Sequence, residues 1–587
     1  MAEAAARRLA AGFYGDDVTG STDALAQYHR AGLRGLLLFD RPDPGELAAL
    51  AGAYDVVGVA GVARSLPTER MAEEVEPVLA ALRAAGPRVV QYKMCSTADS
   101  SPRVGSLGRA IEIGRAVFGP APVPVLAAQP EFGRYTAFGH HFAADGGTVY
   151  RLDRQPTMSR HPVTPMTEAD LRVHLGRQTA LPVGSLDLTA YELPAAEAHR
   201  RYRGLLTDGD WGAVVLDAVT DAHLRCAAEL ILAGGDQVYA LGSGGLSHGL
   251  ARALAEHLPD APPRAGVPRP DTSRPGAPPP DQGWSGDAGS SDVPGPASSV
   301  ARSEASGPAW SAGTPPDGSW SGGAPPSDVP GPDDLPSRAA PPEAHPRGGP
   351  TSGVTGPDGT RAVGPGPEGT LRDSARGGGA RPAAFRGART SRGGGPDAGL
   401  PPARGPVLVV SGSCAPRTAA QIRWALDHGW GGVAVDPDAA DAGSPAALDR
   451  LRDATLRALA AAPGAVVYTA LGPATRANSH ANPLAAVGAA LAHAVAEAVA
   501  HAGVRRVVVA GGDTAGQVVR ALGARTAEIV ALLGPGTALC RLGAPHGPLD
   551  GVQILLKGGQ AGDVDLFPRV RGGAGGEPRG HRHAGAR

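Results

Sequence analysis

Between residues 261 and 400 the chain holds 28 glycines and 27 prolines, so 55 of 140 positions interrupt regular backbone structure. The other 447 residues hold the remaining 87, about half that density. The stretch offers only Trp284, Trp310, Trp320 and Phe385 as aromatics and almost no aliphatic run. So little apolar surface cannot offset the entropy of ordering a chain, and residues 259–404 are predicted to form a disordered low-complexity insert. An imperfect duplication lies inside it, DQGWSGDAGSSDVPGP at 281–296 and DGSWSGGAPPSDVPGP at 317–332. Two copies fall short of the three packed units a solenoid needs. Folded structure must therefore come from the flanks, 8–258 and 405–570, with 571–587 a frayed tail.

Both flanks alternate short apolar runs with helical periods. The first reads FYGDD, STDALAQYHRAG, RGLLLF, PGELAALAGA, YDVVGVAG, LPTERMAEEVEPVLAALRAAG and RVVQYK. The second reads PVLVVSGS, TAAQIRWALDHG, GGVAVD, GAVVYTA, an Ala-rich helix, RRVVVAGGD and EIVALLG. This rhythm marks βα units, so the fold class is α/β, with two domains of mostly parallel sheet flanked by helices. A formal net charge of −2 argues against a broad nucleic-acid surface. Four scattered cysteines, Cys95, Cys226, Cys414 and Cys540, give neither a disulfide framework nor a zinc module and fit a reducing cytoplasm. No apolar stretch is long enough to span a membrane.

In an open α/β sheet, ligands bind beyond the carboxyl ends of the strands. GFYGDDVTGSTDAL places Asp16 and Asp17 at such an end, with Asp23 on the following helix. Adjacent carboxylates there can hold a metal, orient a hydroxyl or take its proton; alternatively, one caps the helix and the other faces water. Arginine supplies all but two of the 55 basic residues, so Lys93 and Lys557 mark places where a compact ammonium is preferred to a planar fork. Lys93 opens KMCSTADSS, a segment rich in hydroxyls, and Lys557 opens KGGQAGD, whose glycines let backbone approach a phosphate. In VRRVVVAGGDTAGQ, Gly511, Gly512, Asp513 and Thr514 stand where a strand turns into a helix whose N–H groups attract anions. Asp513 beside a polyphosphate implies an intervening Mg²⁺, with a plain helix cap as its competitor. Ser411, Gly412 and Ser413 form a similar turn, and Cys414 is expected to be packed. Asp153, Arg154, Arg160 and His161 lie in a Pro-punctuated loop suited to recognition or to plain structure. There is no Walker A sequence, no protein-kinase catalytic loop and no nucleophile elbow.

The ordered set of these segments resembles the four-carbon acid sugar kinase family. GDDVTGS at 15–21 matches its opening motif, Arg64-Ser65 its S-R substrate motif, and Lys93 to Thr97 its K-x-x-S-T segment. His161 to Met166 resembles its proline-threonine-methionine element. Gly412-Ser413-Cys414, Gly511 to Thr514 and Leu556 to Gly559 resemble its nucleotide-site motifs. Differences are Ala415 in place of a serine, a changed Lys557–Gly562 loop, a changed Asp99–Gly105 segment and the long insert.

The resemblance implies an ATP- and Mg²⁺-dependent kinase acting on the terminal hydroxyl of threonate, erythronate or 3-oxo-tetronate. It implies a sugar-acid domain at 8–258 and a nucleotide domain at 405–570, which must close together. Asp16 or Asp17 would orient and deprotonate the hydroxyl. Asp16, Arg64, Lys93, Ser96, Thr97 and Asp99 would bind the acid, with Arg64 and Lys93 on its carboxylate. Ser413, Gly511, Gly512, Asp513, Thr514, Lys557 and Gly559 would bind ATP, with Asp513 holding Mg²⁺. No nucleic-acid or membrane partner is expected, and self-association is left open. Two other classes stay open: a non-catalytic nucleotide-binding or interaction protein working through its insert, and, opposed by Gly15 two residues before Asp17, a phosphohydrolase.

Every candidate site residue lies outside residues 265–400, and loop entropy grows slowly with length. Replacing that stretch with a short Gly/Ser bridge is expected to preserve both the far-UV circular dichroism and the ATP-dependent turnover. Lost turnover with intact dichroism would assign the insert a function.

Overall fold

The structure is a computed structural model that describes residues 8–256, 400–436, 443–472, 483–545 and 547–572. The disorder predicted for the insert and tail therefore concerns residues outside the described ones, except at their edges. The N-terminal half opens β1 (Ala11–Gly15), α1 (Val18–Arg30), β2 (Gly35–Leu38), α2 (Pro44–Leu50), β3 (Val56–Ala60), α3 (Met71–Ala84) and β4 (Val89–Lys93). It continues α4 (Leu107–Phe118), β5 (Val123–Leu126), β6 (Arg134–Ala137), β7 (His140–Asp145), β8 (Thr148–Arg151), α5 (Leu171–Gly176) and β9 (Val183–Leu186). It ends α6 (Ala195–Thr207), β10 (Ala213–Leu216), α7 (Asp221–Leu232), β11 (Val238–Gly242) and α8 (Gly244–Ala255). The C-terminal half runs β12 (Val407–Ser411), α9 (Pro416–Asp427), β13 (Gly431–Ala434), α10 (Pro445–Ala461), β14 (Gly464–Tyr468) and α11 (Pro483–His501). Then come β15 (Arg506–Ala510), α12 (Gly512–Ala521), β16 (Thr526–Leu532), β17 (Ala538–Gly543), β18 (Gln553–Lys557) and α13 (Leu566–Arg571).

The apolar runs read from the sequence become strands buried on both faces, as helix-covered parallel sheets require. Each half builds such an array, but the arrays are joined. β2 pairs antiparallel with β16, giving a 15-stranded sheet in the order β13-β14-β12-β15-β18-β17-β16-β2-β3-β1-β4-β11-β5-β10-β9. β16, β17 and β18 pair antiparallel in turn, so strand direction is reversed between the arrays. Strand twist of roughly 20–25° per step adds up to about 120–150° over the steps from β1 to β15, which offsets much of that reversal. Phe39 N donates to Arg525 O at 2.9 Å and Arg525 Nε to Asp40 at 3.2 Å, extending the seam. Tyr54 Oη donates to Glu528 across it.

One apolar core crosses the seam, containing Val18, Leu25 and Leu37 with Val518, Val519, Ala527 and Cys540. The edges of the insert and tail are also packed. Leu400 and Ala403 lie against the C-terminal core, Ala403 N donates to Arg571 O at 2.7 Å, and Arg571 ends α13 rather than opening a tail. A separate three-stranded sheet, β6-β7-β8, carries a β-bridge from Thr136 to Ala218, just past β10. No helix among the described residues is long and apolar enough to cross a membrane.

A shared core predicts shared unfolding. Leu37→Ala, at a fully buried position, should cost ~2–5 kcal/mol. Urea midpoints reported by Trp211 in one half and Trp430 in the other, in variants keeping only that one of the chain's six tryptophans, should fall together. A shift at Trp211 alone would mean that the halves unfold independently.

Candidate active site

β1, β3 and β4 are parallel neighbours, so residues following them gather at one edge. Backbone bonds fix the gathering: Asp16 N donates to Lys93 O at 3.0 Å, and Arg64 N to Asp16 O at 3.1 Å. Asp17 caps α1, accepting from Gly20 N at 2.6 Å and Thr19 Oγ1 at 2.9 Å. Asp16 does not face water; it is 4% exposed. Arg64 forks across the pair, Nη2 to Asp16 and Nη1 to Asp17, each at 2.9 Å. Burial raises the Asp16 carboxyl to about 6, against the pull of Arg64 and with a push from Asp17. The fork stabilises charge on Arg64, although burial alone would oppose it.

Lys93 is 2% exposed; its ammonium donates to Met94 O at 3.0 Å and stands 4.0 Å from Asp23. Asp23 also accepts from Gln129 Nε2 at 3.1 Å and Gln27 Nε2 at 3.4 Å. In the segment after β4, Thr97 Oγ1 donates to Asp99 at 2.7 Å and lies 3.0 Å from Cys95 Sγ. Burial would raise Asp99, but Arg64, Thr97 and Cys95 together hold its carboxyl below the usual range. Burial pushes the Cys95 thiol up to about 11, which leaves it a poor nucleophile. Ser96 enters through its carbonyl, which accepts from His141 Nε2 at 2.8 Å.

On the other half, Gly511 has φ 118°, a conformation that favours glycine, and lets β15 turn directly into α12. No side chain caps this helix, so Asp513 is not its cap; it is exposed in the first turn, with Thr514 buried behind it. The helix opening therefore presents N–H donors to an anion. Ser413 is buried and its Oγ accepts from Ala415 N at 3.3 Å. Cys414 is exposed, contrary to the packed position expected. Lys557 is wholly buried and donates to Thr418 Oγ1 at 2.9 Å; Thr418 Oγ1 donates in turn to Gly559 O at 2.7 Å. Burial, aided by Arg417, lowers the Lys557 ammonium to about 7. Gln421 Nε2 ties down the carbonyls of Ala561, Gly562 and Asp563.

The two clusters already meet. A Cβ on Gly512 would stand 3.4 Å from Asp17 Oδ2 and 3.6 Å from Thr19 Oγ1, and Ser65 Oγ donates to Asp513 at 3.4 Å. Gln129, Arg134, His141, Thr418 and Gln421 escaped sequence reading. Only Gln129, in AAQPEF just past an apolar run, carried a signal that could have found it. In the recognition loop, Asp153 pairs with Arg151 and Arg154, and His161 accepts from Thr164 N at 3.1 Å. A cavity of about 370 Å³ lined by Gln27, Arg30, Gln129, Glu131, Asp221 and His248 lies beyond Asp23, away from Asp16 and Arg64.

Comparison with known proteins matches this division. Residues 11–250 match a sugar-binding N-terminal domain and residues 408–567 a nucleotide-binding C-terminal domain. A 3-oxo-isoapionate kinase of Paraburkholderia graminis is 32% identical, the match covering 96% of this chain and 94% of that enzyme. The chain belongs to the four-carbon acid sugar kinase family. A 3-oxo-tetronate kinase of Methylobacterium radiotolerans is 36% identical over 42% of this kinase and 55% of its own length. A structure from Salmonella typhimurium LT2 described as a putative tRNA synthase has the same fold, with a TM-score of 0.59 at 20% identity over 96% of this chain and 98% of that one. A Haemophilus influenzae protein gives a TM-score of 0.54 at 17% identity over 95% and 99% of the respective chains.

The confined Lys557 environment of this kinase gives a direct test. A guanidinium is wider and planar, so Lys557→Arg should disrupt the Thr418–Gly559 contact although it conserves charge. Its kcat should fall about as far as that of Lys557→Ala, on the order of 100-fold if the phosphate is displaced by ~1 Å. Retention of most wild-type activity by the arginine variant would reduce Lys557 to a charge in the wall of the site.

Proposed function

We propose that the chain phosphorylates the terminal hydroxyl of a short 3-oxo sugar acid, of the isoapionate or tetronate type, using ATP in the cytoplasm. The observation that carries this reading is the contact between the open N-terminus of α12 and the carboxylate pair at the end of β1. Residues 8–258 take the acid and 405–570 the nucleotide. The activities of the two kinase relatives, one aligned over nearly the whole chain, support the 3-oxo acid as the acceptor class.

Phosphoryl transfer asks for positioning and charge neutralisation more than covalent chemistry. The carboxylates of the acceptor pair differ in commitment. Asp17 is bonded to Gly20, Thr19 and Arg64, whereas Asp16 accepts only from Arg64 through its side chain. Asp16, with its acidity near neutral, is the general base. It takes the hydroxyl proton as oxygen bonds to the γ-phosphorus and the bridge to ADP breaks. The Gly512 and Asp513 N–H groups at the open start of α12 receive phosphate oxygens, while the Gly511 N–H is held by the Lys557 carbonyl at 3.0 Å and Lys557 holds the 557–562 turn through Thr418. Asp513 is exposed and has no ion pair among the described residues. Asp513 would be the residue to hold a Mg²⁺ ion brought with the nucleotide. That ion would neutralise charge on the phosphates.

The test is ADP release over a panel of 3-oxo and reduced C4 and C5 sugar acids, with pH profiles of the best one. Turnover should depend on ATP and acid, and kcat/KM should fall tenfold per pH unit below about 6 as Asp16 is protonated. Asp16→Asn should abolish turnover yet stabilise the fold. A carboxyl raised above its unfolded value favours folding fully below pH ~4 and loses that contribution as pH rises through about 6. The gain in Asp16→Asn should be on the order of 2–3 kcal/mol above pH 7 and vanish near pH 4. Phosphate release without ATP, or a pH profile unaltered in Asp16→Asn, would defeat the reading.

A further inference from the structure

The kinase reading needs a cation for the substrate carboxylate, and Arg64 and Lys93, the two assigned to it from the sequence, are already engaged. Arg64 lies between Asp16 and Asp17, with Asp99 adding to its stabilisation. Lys93 faces Asp23 and the Met94 carbonyl. Around these two cations stand Asp16, Asp17, Asp23 and Asp99. A further carboxylate from the substrate would meet net repulsion unless another positive group faces it.

Arg134, at the start of β6, has the required properties. Its Nη1 donates only to carbonyls, Phe132 at 2.7 Å, Ala144 at 3.2 Å and Gly133 at 3.5 Å. Its Nε is buried and makes no hydrogen bond; Arg64 Nε shares this property, but the Arg64 guanidinium is already paired with two carboxylates. No carboxylate pairs with it among the described residues. Arg506 shows how a purely structural arginine differs here: its Nε donates to Gln553 at 2.8 Å while Nη1 caps the α13 carbonyls at Val570 and Arg571. Leaving a buried guanidinium N–H bare is costly, and a ligand oxygen that accepts from it removes that cost.

The surrounding bonds place Arg134 beside the acceptor site. Arg134 and Gln129 exchange backbone hydrogen bonds at 3.1 and 2.9 Å, and the Gln129 side chain holds Asp23. Thr136, two residues along the strand and so on the same face, bonds His141 at 2.9 Å, and His141 donates to Ser96 O. The face of β6 that bears Arg134 is therefore the one turned to the 95–99 segment. Cys95, Asp145 and Asp99 lie close enough to act electrostatically on Arg134, though none of them pairs with it. His141, held neutral by burial, adds no competing charge.

We propose that Arg134 recognises the substrate carboxylate and sets the preference of this enzyme for a sugar acid over the corresponding neutral ketose. The proposal rests on the kinase reading. Arg64 then acts as the orienting partner of the two aspartates, and Arg134 supplies the positive charge left for the acid. A carboxylate of the 3-oxo acid would accept from Nε and the neighbouring Nη in the paired manner that arginine favours.

The test compares wild type, Arg134→Met and Arg134→Lys on an acid and on the ketose in which hydroxymethyl replaces its carboxylate; for 3-oxo-tetronate this is erythrulose. Wild type should prefer the acid by roughly 100-fold or more in kcat/KM. Arg134→Met should lose about that factor on the acid, stay within ~3-fold on the ketose and keep the KM for ATP, while Arg134→Lys keeps part of the preference. Equal losses on both compounds would make Arg134 a hairpin support and overturn the proposal, as would an unchanged preference or a wild type that does not discriminate. Calorimetric binding of the acid without ATP separates the two claims. If wild type turns over nothing, the kinase reading fails, while acid binding to wild type and not to Arg134→Met would still support the recognition role, and equal binding to both would end it.

Discussion

Arg64 reaches Asp16 and Asp17 through separate guanidinium nitrogens, and that fork ties the end of β1 and the start of α1 to the turn after β3. Burying two carboxylates beside a half-buried guanidinium carries a desolvation cost of several kcal/mol per buried ion, offset only when geometry is good and remaining donors and acceptors are used. Here Asp17 is saturated by the first turn of α1, while Asp16 is not. The imbalance leaves Asp17 committed to the helix start and Asp16, its carboxyl raised to about 6 by burial, open to a hydroxyl, a division suited to holding and deprotonating it. Loss of Arg64 would leave adjacent buried carboxylates without their shared cation.

The second half is arranged around a complementary problem, a helix opening with nothing on its own chain to cap it. Lys557, Thr418 and Gly559 form a buried chain of donors and acceptors that sets the turn beside that opening. Because the apolar core runs through α1 and α12 alike, the two problems are solved in one packed body. The contact between Gly512 and Asp17 means that whatever motion admits substrates starts from a structure in which the sites already touch. Closure from separate domains, expected from the sequence, is not needed to bring them into contact.

The parallel strands were readable because strands buried on both faces must be continuous apolar runs, as in Val407–Ser411 and Arg506–Ala510. The seam was not, because EIVALLG carries the same apolar signal whether its partner runs parallel or antiparallel. Asp16, Asp17, Lys93 and Gly511–Thr514 were legible since each follows such a run, where α/β ligands bind. Arg134 was not: one arginine among 53 has no local signature, and its importance depends on which strand folds back over the 95–99 segment. Cys414 shows the opposite error, since a small apolar side chain after a buried strand gives no sign that its turn faces outward.

The central claim is that the transferred phosphoryl group travels between the α12 opening and Asp16. A crystal structure with ADP, Mg²⁺, a planar fluoride mimic of the phosphoryl group and the best acid from the substrate panel addresses it most directly. The account predicts the mimic within hydrogen-bond reach of the Gly512 and Asp513 N–H groups, with the acceptor hydroxyl on Asp16 and the acid carboxylate toward Arg134. An acid bound instead in the cavity lined by Arg30, Glu131 and His248, with Asp16 untouched, would contradict it.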